Sequence, residues 1–193
     1  MKNMVKSVLS FFVFLKYKNI WNIKEYLVKN NIDSGIIATV YDYYIHKEGG
    51  YVGIGAEFAN RPYMPHGFMG VFISDMTKIG KNAVIFQHVT IGADRLTDSD
   101  NQGNPVIGDN AYIGAGAKII GNVKIGNNCR IGANAVVYKD MPDNSVAVCS
   151  PTRIIQKEKL DNRFIVANKD GKLKVYENGE FHILEEGKKE EKV

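Results

Sequence analysis

Ile or Val recurs at every sixth position along one stretch of the chain: Ile107, Ile113, Ile119, Ile125, Ile131 and Val137. The same phase runs upstream through Ile91, Ile85, Ile79 and Ile73. An α-helix repeats near 3.6 residues and a strand at two, so a period of six requires a backbone that turns a corner after each short strand. Three such units close one triangular turn of about 18 residues, with the Ile side chains stacked inward. Four residues after successive Ile positions stand Ala83, Val89, Ala111, Ala117, Val123, Cys129 and Ala135, all small or β-branched, as a second inward position in a narrow coil demands. Gly follows Ile or Val at Gly108, Gly114, Gly126 and Gly132, and these glycines are expected to free the backbone at the corners. With a looser phase, Val52, Phe58 and Met64 add rungs before a three-residue slip at residues 67–70.

Outside the coils the pattern changes. Residues 4–46 mix apolar clusters with Lys, Asn and Glu at helical spacing, and Asn31, Asp33, Ser34 and Gly35 separate two candidate helices. The apolar run near the start is too short for a membrane span, and Lys16, Tyr17 and Lys18 stand where a signal peptide carries small residues. It reads as an amphipathic helix packed on the solenoid or a neighbouring subunit, or else, as the second reading, lying on a membrane surface. Residues 93–105 break the phase, since Ile91 and Ile107 are separated by sixteen residues instead of twelve, and read as a polar loop ejected from a corner. Beyond residue 150, alternating strands broken at Asp170-Gly171 and Asn178-Gly179 predict an antiparallel meander with two-residue hairpin turns, and residues 185–193 read as a disordered tail. The expected organisation is therefore a helical segment at 1–50, a solenoid at 51–150 and a meander with tail at 151–193, in a mainly β chain.

A net charge of +4 with no basic stripe argues against nucleic acid as a partner. Cys129 and Cys149 offer no metal-ligand spacing and no disulfide framework, which fits a reduced, cytoplasmic protein without a metal. Only His66 and His88 fall within the coils, and no pair five residues apart exists, which argues against a zinc-dependent carbonic anhydrase of solenoid type. His66 directly precedes the phase slip, at a corner where a cleft can form. His88 lies in a flat rung between Ile85 and Ile91 and reads as a surface or subunit-contact residue, or alternatively as part of a substrate cleft.

The segments HGFMGVFIS, AVIFQHVTIGA and NPVIGDNAYIGAGAKIIGNVKIGNNCRIGANAVVYKDMP resemble the serine acetyltransferase branch of the hexapeptide-repeat acyltransferases, over about residues 51–155. The resemblance implies a left-handed parallel β-helix, a homotrimer, and acetyl-CoA lying in the groove between neighbouring coils. It implies His66 as catalytic base and acetyl-CoA contacts at Ala93, Ala115, Ala133 and, in a closing segment where Pro151 also matches, Arg153. Cys149 replaces that segment's Gly, and Tyr51 holds the place of the residue that orients the base; Glu57, Asp75 or a backbone carbonyl are the candidates for that task here. The family's acid before the base and its Arg-His pair, which hold serine's charged ends, are replaced by Pro65, Gly103 and Asn104. That loss, together with Arg61, Asn60, Tyr63, Asn104 and the loop residues Asp94, Arg95 and Asp98, leads to the expectation of a sugar hydroxyl as acceptor, in a surface or capsular polysaccharide or its precursor. Serine O-acetylation, N-acetylation of an amino sugar and a silent scaffold are the alternatives. A chain working on such precursors is expected in the cytoplasm, with contact to the inner membrane face as the further expectation.

Overall fold

The structure, a computed structural model, describes residues 2–149, 164–167, 170, 172–177 and 180–184. By contact the chain divides into two compact units, Met1–Ser150 and Pro151–Val193. In the first, two- and three-residue strands stack in parallel into three faces of a left-handed β-helix. The first face holds Tyr51–Val52, Phe72–Ile73, Thr90–Gly92, Lys118–Ile120 and Val136–Val137; the second holds Glu57–Phe58, Lys78–Ile79, Val106–Ile107 and Lys124–Ile125. The third holds Val84–Ile85, Tyr112–Ile113, Arg130–Ile131 and Val146–Ala147, with Tyr63 bridged to Val84 above them. Register places like on like: Ile73 pairs with Ile91 and Ile91 with Ile119, Ile79 with Ile107, and Ile85 with Ile113. From Ile73 to Val137 the sixth-position residues are 0–6% exposed, and the small second set from Ala83 to Ala135 is 0–1% exposed, so both expected inward stripes form the core.

The corners differ from expectation. Gly108, Gly114, Gly126 and Gly132 do not have positive φ; at the corner between the second and third faces that conformation falls to Asn82, Asn110, Asn128 and Asn144, at φ 55–59°. Asn is the non-glycine residue that best tolerates this region. Here it does more than tolerate it. The side-chain amides of Asn60, Asn82, Asn110, Asn128 and Asn144 form a ladder along the corner, each donating to the next at 3.0–3.2 Å. The glycines serve close approach between coils instead: a Cβ on Gly108 would lie 2.7 Å from Asn127 Oδ1, and one on Gly114 would lie 2.8 Å from the backbone nitrogen of Ala133.

Three helices cap the first coil, where two were expected over residues 4–46: α1 (Lys2–Tyr17), α2 (Ile20–Lys29) and α3 (Ile36–Lys47). The additional break arises because Lys18 takes φ 69° and Asn19 caps α2, its side chain accepting from the Asn22 N–H at 2.9 Å. α1 packs on the other two through Phe14 against Tyr44 and Tyr17 against Tyr26, and leaves Phe11, Phe12 and Leu15 outward. Among the described residues no helix is long and apolar enough to cross a membrane.

Lys24 ties this cap to the solenoid. It is 5% exposed, and its Nζ donates to the carbonyls of Gly53 at 2.9 Å and Ile54 at 2.6 Å. The rings of Phe58 and Tyr41 lie 5.6 and 6.0 Å from the ammonium. Burial lowers its pKa to about 8, against the opposing pull of the Asp75 carboxylate. The Tyr41 hydroxyl donates to the Val52 carbonyl at 3.0 Å and completes the seam.

In the second unit, Phe164–Ala167, Leu173–Glu177 and Glu180–Ile183 form the expected antiparallel meander. Glu177 pairs with Glu180, and the expected turn residues Asn178 and Gly179 lie outside the described residues; Ala167 pairs with Leu173, so five residues rather than two separate those strands. Arg153 and the tail at 185–193 lie outside the described residues.

Two measurements follow from this packing. Asn110→Ala forces a strained φ and breaks two ladder bonds, and should lower the unfolding free energy in urea by about 2–3 kcal/mol. Asn110→Gly, which keeps the backbone conformation, should lose roughly half of that. For Lys24 the folded pKa of about 8 lies below the unfolded 10.5, so between those values the unfolded chain binds more protons and stability rises with pH. Tyr51, raised to about 12 by burial and then by its bond to Asp75, acts with the opposite sign above its unfolded 10.0. Urea titrations from about pH 8 to about pH 9.5 should show a gain on the order of 1 kcal/mol per unit that is absent in Lys24→Met.

Candidate active site at the corner between the third and first faces

After Tyr63 on the third face the chain runs through Met64, Pro65, His66, Gly67, Phe68, Met69 and Gly70 before entering the first face at Phe72. This is the expected slip. It holds three residues more than the corresponding corner of the next coil, and Gly67 and Gly70 bend it with φ of 60° and 62°. Phe68, 7% exposed, pins it into the core against Trp21, with ring centroids 5.7 Å apart, and the Gly70 N–H donates to Gly49 at 3.2 Å. His66 is left exposed at the apex.

The coil beneath supports this segment. His88, itself at φ 60°, donates its N–H to the Met69 carbonyl at 2.9 Å, and its Nδ1 occupies the space a Cβ on Gly70 would need. The His88 carbonyl accepts from Lys118 Nζ at 2.7 Å. The Phe86 ring lies 6.1 Å from the His66 ring and 5.2 Å from that of Tyr112, an aromatic strip leading away from His66. Continuing down the same corner come Ala115 and then Ala133, coupled by the Asn134 N–H to the Ala115 carbonyl at 2.8 Å. The fold thus brings His66, His88, Ala115 and Ala133 to one corner, with Ala115 and Ala133 stacked beneath Gln87 and His88 above Gly116 and Asn134.

The other candidates lie elsewhere. Ala93 and Asn104 belong to the corner between the first and second faces, where the ejected loop leaves after Gly92 and returns at Val106. That loop is closed on itself by the pairing of Asp94 with Gly103. Asn104 accepts from Arg95 Nη2 at 3.3 Å, and Asp94 binds the Ser99 hydroxyl and the Leu96 N–H, which hold its carboxyl below the usual range. Asn60 is engaged in the asparagine ladder. The residues that suggested a sugar site therefore do not form one set.

The candidate orienters of His66 are also engaged elsewhere. Asp75 accepts from the Tyr51 hydroxyl at 2.8 Å and the Gly55 N–H at 3.0 Å, while Glu57 pairs with Lys78 at 3.4 Å. Among the described residues, the ring found against the His66 imidazole is Phe86, and no three His, Cys, Asp or Glu side chains converge to hold a metal.

On the cap side of the same corner lies a pocket of about 460 Å³, lined by Trp21, Tyr44, Glu48, Arg61, Met64 and Gly67 among others. Arg61 stands there with its Cζ 6.0 Å from the Trp21 ring centroid, and Tyr63 also faces the pocket. A larger cleft of about 820 Å³ shares Trp21 and Arg61 with it but none of the residues around His66. The inward pattern gave no hint of Phe86, Tyr112 or Glu48. Phe86 follows inward Ile85 and Tyr112 precedes inward Ile113, and large rings at such outward positions are the signal that was available.

Residues 104–139 match the bacterial transferase hexapeptide (six repeats) family. The chain is 39% identical over 109 residues to a serine acetyltransferase of Bacillus pumilus, covering 56% of this chain and 49% of that protein. It is 41% identical over 104 residues to a serine acetyltransferase of Staphylococcus aureus, covering 54% and 47%. The chain thus spans about half the length of the curated relatives it matches. Among solved structures it is similar to serine acetyltransferase isoform 3 of Entamoeba histolytica in complex with cysteine, at TM-score 0.59 and 30% identity, covering 72% of this chain and 50% of that one. It is also similar to the soybean serine acetyltransferase apoenzyme, at TM-score 0.58 and 29% identity, covering 70% and 56%. These relatives overturn the expected polysaccharide acceptor: at 39–41% identity they are serine acetyltransferases, although the charged clamps are replaced at Pro65, Gly103 and Asn104. Over the solenoid the chain is thus similar to hexapeptide-repeat transferases, serine acetyltransferases among them.

Proposed function

We propose that this chain transfers the acetyl group of acetyl-CoA to the hydroxyl of serine, with His66 as general base. The observation that carries the proposal is the 39–41% identity to serine acetyltransferases over roughly half the chain. His66 suits the role by position: it is exposed at the apex of a corner held from below by His88 and from within by Phe68.

The column beneath His66 suits the thioester substrate. Ala115 and Ala133 are small, and Gly116 with φ 72° follows Ala115, so a narrow chain such as pantetheine can approach the backbone closely. Gln87 Oε1, at the same corner, is buried with no partner among the described residues, and is an acceptor suited to an amide N–H of such a chain. In the transfer, neutral His66 takes the serine hydroxyl proton as that oxygen attacks the thioester carbonyl. The new C–O bond forms, the C–S bond breaks, and the imidazolium returns the proton to the departing thiolate. O-acetylserine and CoA leave, with no covalent enzyme intermediate. An alcohol has a pKa far above neutrality, so removal of its proton must be concerted with attack.

Apolar side chains exposed on the faces, including Phe72, Val136, Tyr138 and Val146, support assembly into a homotrimer whose neighbouring subunit closes the open groove. His66→Ala should reduce serine-dependent thiol release at least about 10²-fold. Acetyl-CoA binding by calorimetry and the circular dichroism spectrum should stay unchanged. Turnover near wild type in that variant would remove His66 from the reaction.

A further inference from the structure

We infer that Glu48 and Arg61 form the charged clamp for the acceptor amino acid, Glu48 holding its ammonium and Arg61 its carboxylate. The inference rests on the serine reading and supplies what that reading lacks. A zwitterion needs an anion and a cation on one binding surface, and the positions where the resemblance places them carry Pro65, Gly103 and Asn104. Glu48 and Arg61 line one pocket of about 460 Å³, whose wall includes Met64 and Gly67 from the segment bearing His66. The acceptor would thus lie on the cap side of His66 and the thioester chain on the coil side, with the base between them.

Both charges stand ready for a ligand. Among the described residues the ion pair formed is Lys78 with Glu57, and neither Glu48 nor Arg61 is neutralised by a neighbouring side chain. Arg61 stacks toward the Trp21 ring, a geometry that leaves its planar fork of N–H donors available to a carboxylate. Glu48 is the C-cap of α3, where its own N–H bonds back to the carbonyls of Tyr44, Ile45 and His46. A helix C-terminus carries partial negative charge and favours cations, as His46 and Lys47 in the last turn do. An acid at that cap is the wrong sign for the helix. A bound ammonium would relieve the mismatch, and residues that break a local rule concentrate at functional sites.

Steady-state kinetics of the full chain with serine and acetyl-CoA test the clamp. Glu48→Gln and Arg61→Gln should each raise the KM for serine roughly 10- to 100-fold, the range for one charge-assisted contact. The KM for acetyl-CoA and kcat should hold, and Glu48→Asp and Arg61→Lys should recover part of the loss. Serine KM values that stay at wild type, or a parallel rise in the KM for acetyl-CoA that marks a structural role, would overturn the clamp and leave the serine reading standing. A wild-type chain that releases no thiol with serine would instead overturn the serine reading, and the clamp with it.

Discussion

The solenoid depends on one conformational demand: at most of its corners a residue takes positive φ, a region that costs most L-residues about 1–2 kcal/mol. The chain meets it with asparagine at the corner between the second and third faces, and turns the choice to account. Each of these asparagines also bonds to the one in the next coil, so the strained residues are stitched to one another. The column carrying His66 solves the same demand differently. There the positive-φ positions are Gly67, Gly70, His88, Gly116 and Asn134, with no side-chain ladder among them. The first corner is closed by its own side chains, whereas the second keeps backbone and small side chains within reach of a ligand. The two corners divide cohesion from chemistry.

The helical cap is joined to this scaffold through polar chemistry as much as through packing. Lys24 inserts an ammonium between two carbonyls of the first coil, Tyr41 adds a buried hydrogen bond beside it, and Asp75 bonds to the Gly55 N–H at the exposed edge of the seam. Such a seam is exacting, because an unmatched carbonyl beneath α2 would retain its full desolvation cost. It fixes the ends of α2 and α3 relative to the first coil, and with them Trp21, Tyr44 and Glu48, which line the pocket beside His66.

The six-residue period was readable because every coil places the same side-chain volume in the same environment, so the constraint repeats along the chain. What each glycine does was not readable: glycine after isoleucine suggests a free backbone, and only the spacing between coils shows that those positions stay small to admit the neighbouring turn. The break before α2 was missed because the apolar pattern continues across Lys18 and Asn19, although Asn19 three residues ahead of Asn22 was a cap signal in plain view. Lys24 escaped notice because lysine is ordinarily a surface residue. The acceptor was misjudged for another reason. Missing clamp residues at 65, 103 and 104 point to a different substrate when only the sequence is considered, whereas a charge can be supplied from any element that folds back to the site, and helices packed over the first coil can do so.

The asparagine ladder also governs how a chain of this kind can change in length. One residue added within a coil would carry every later asparagine out of line with its partner and turn each inward isoleucine to solvent. Length can vary only where the chain leaves the triangle and re-enters it in phase. The two irregular segments, at residues 64–70 and 93–105, do so at the two ends of the first face, while the corner bearing the ladder remains uninterrupted from Asn60 to Asn144. New loops, and the specificities they bring, are thereby confined to two edges of the solenoid.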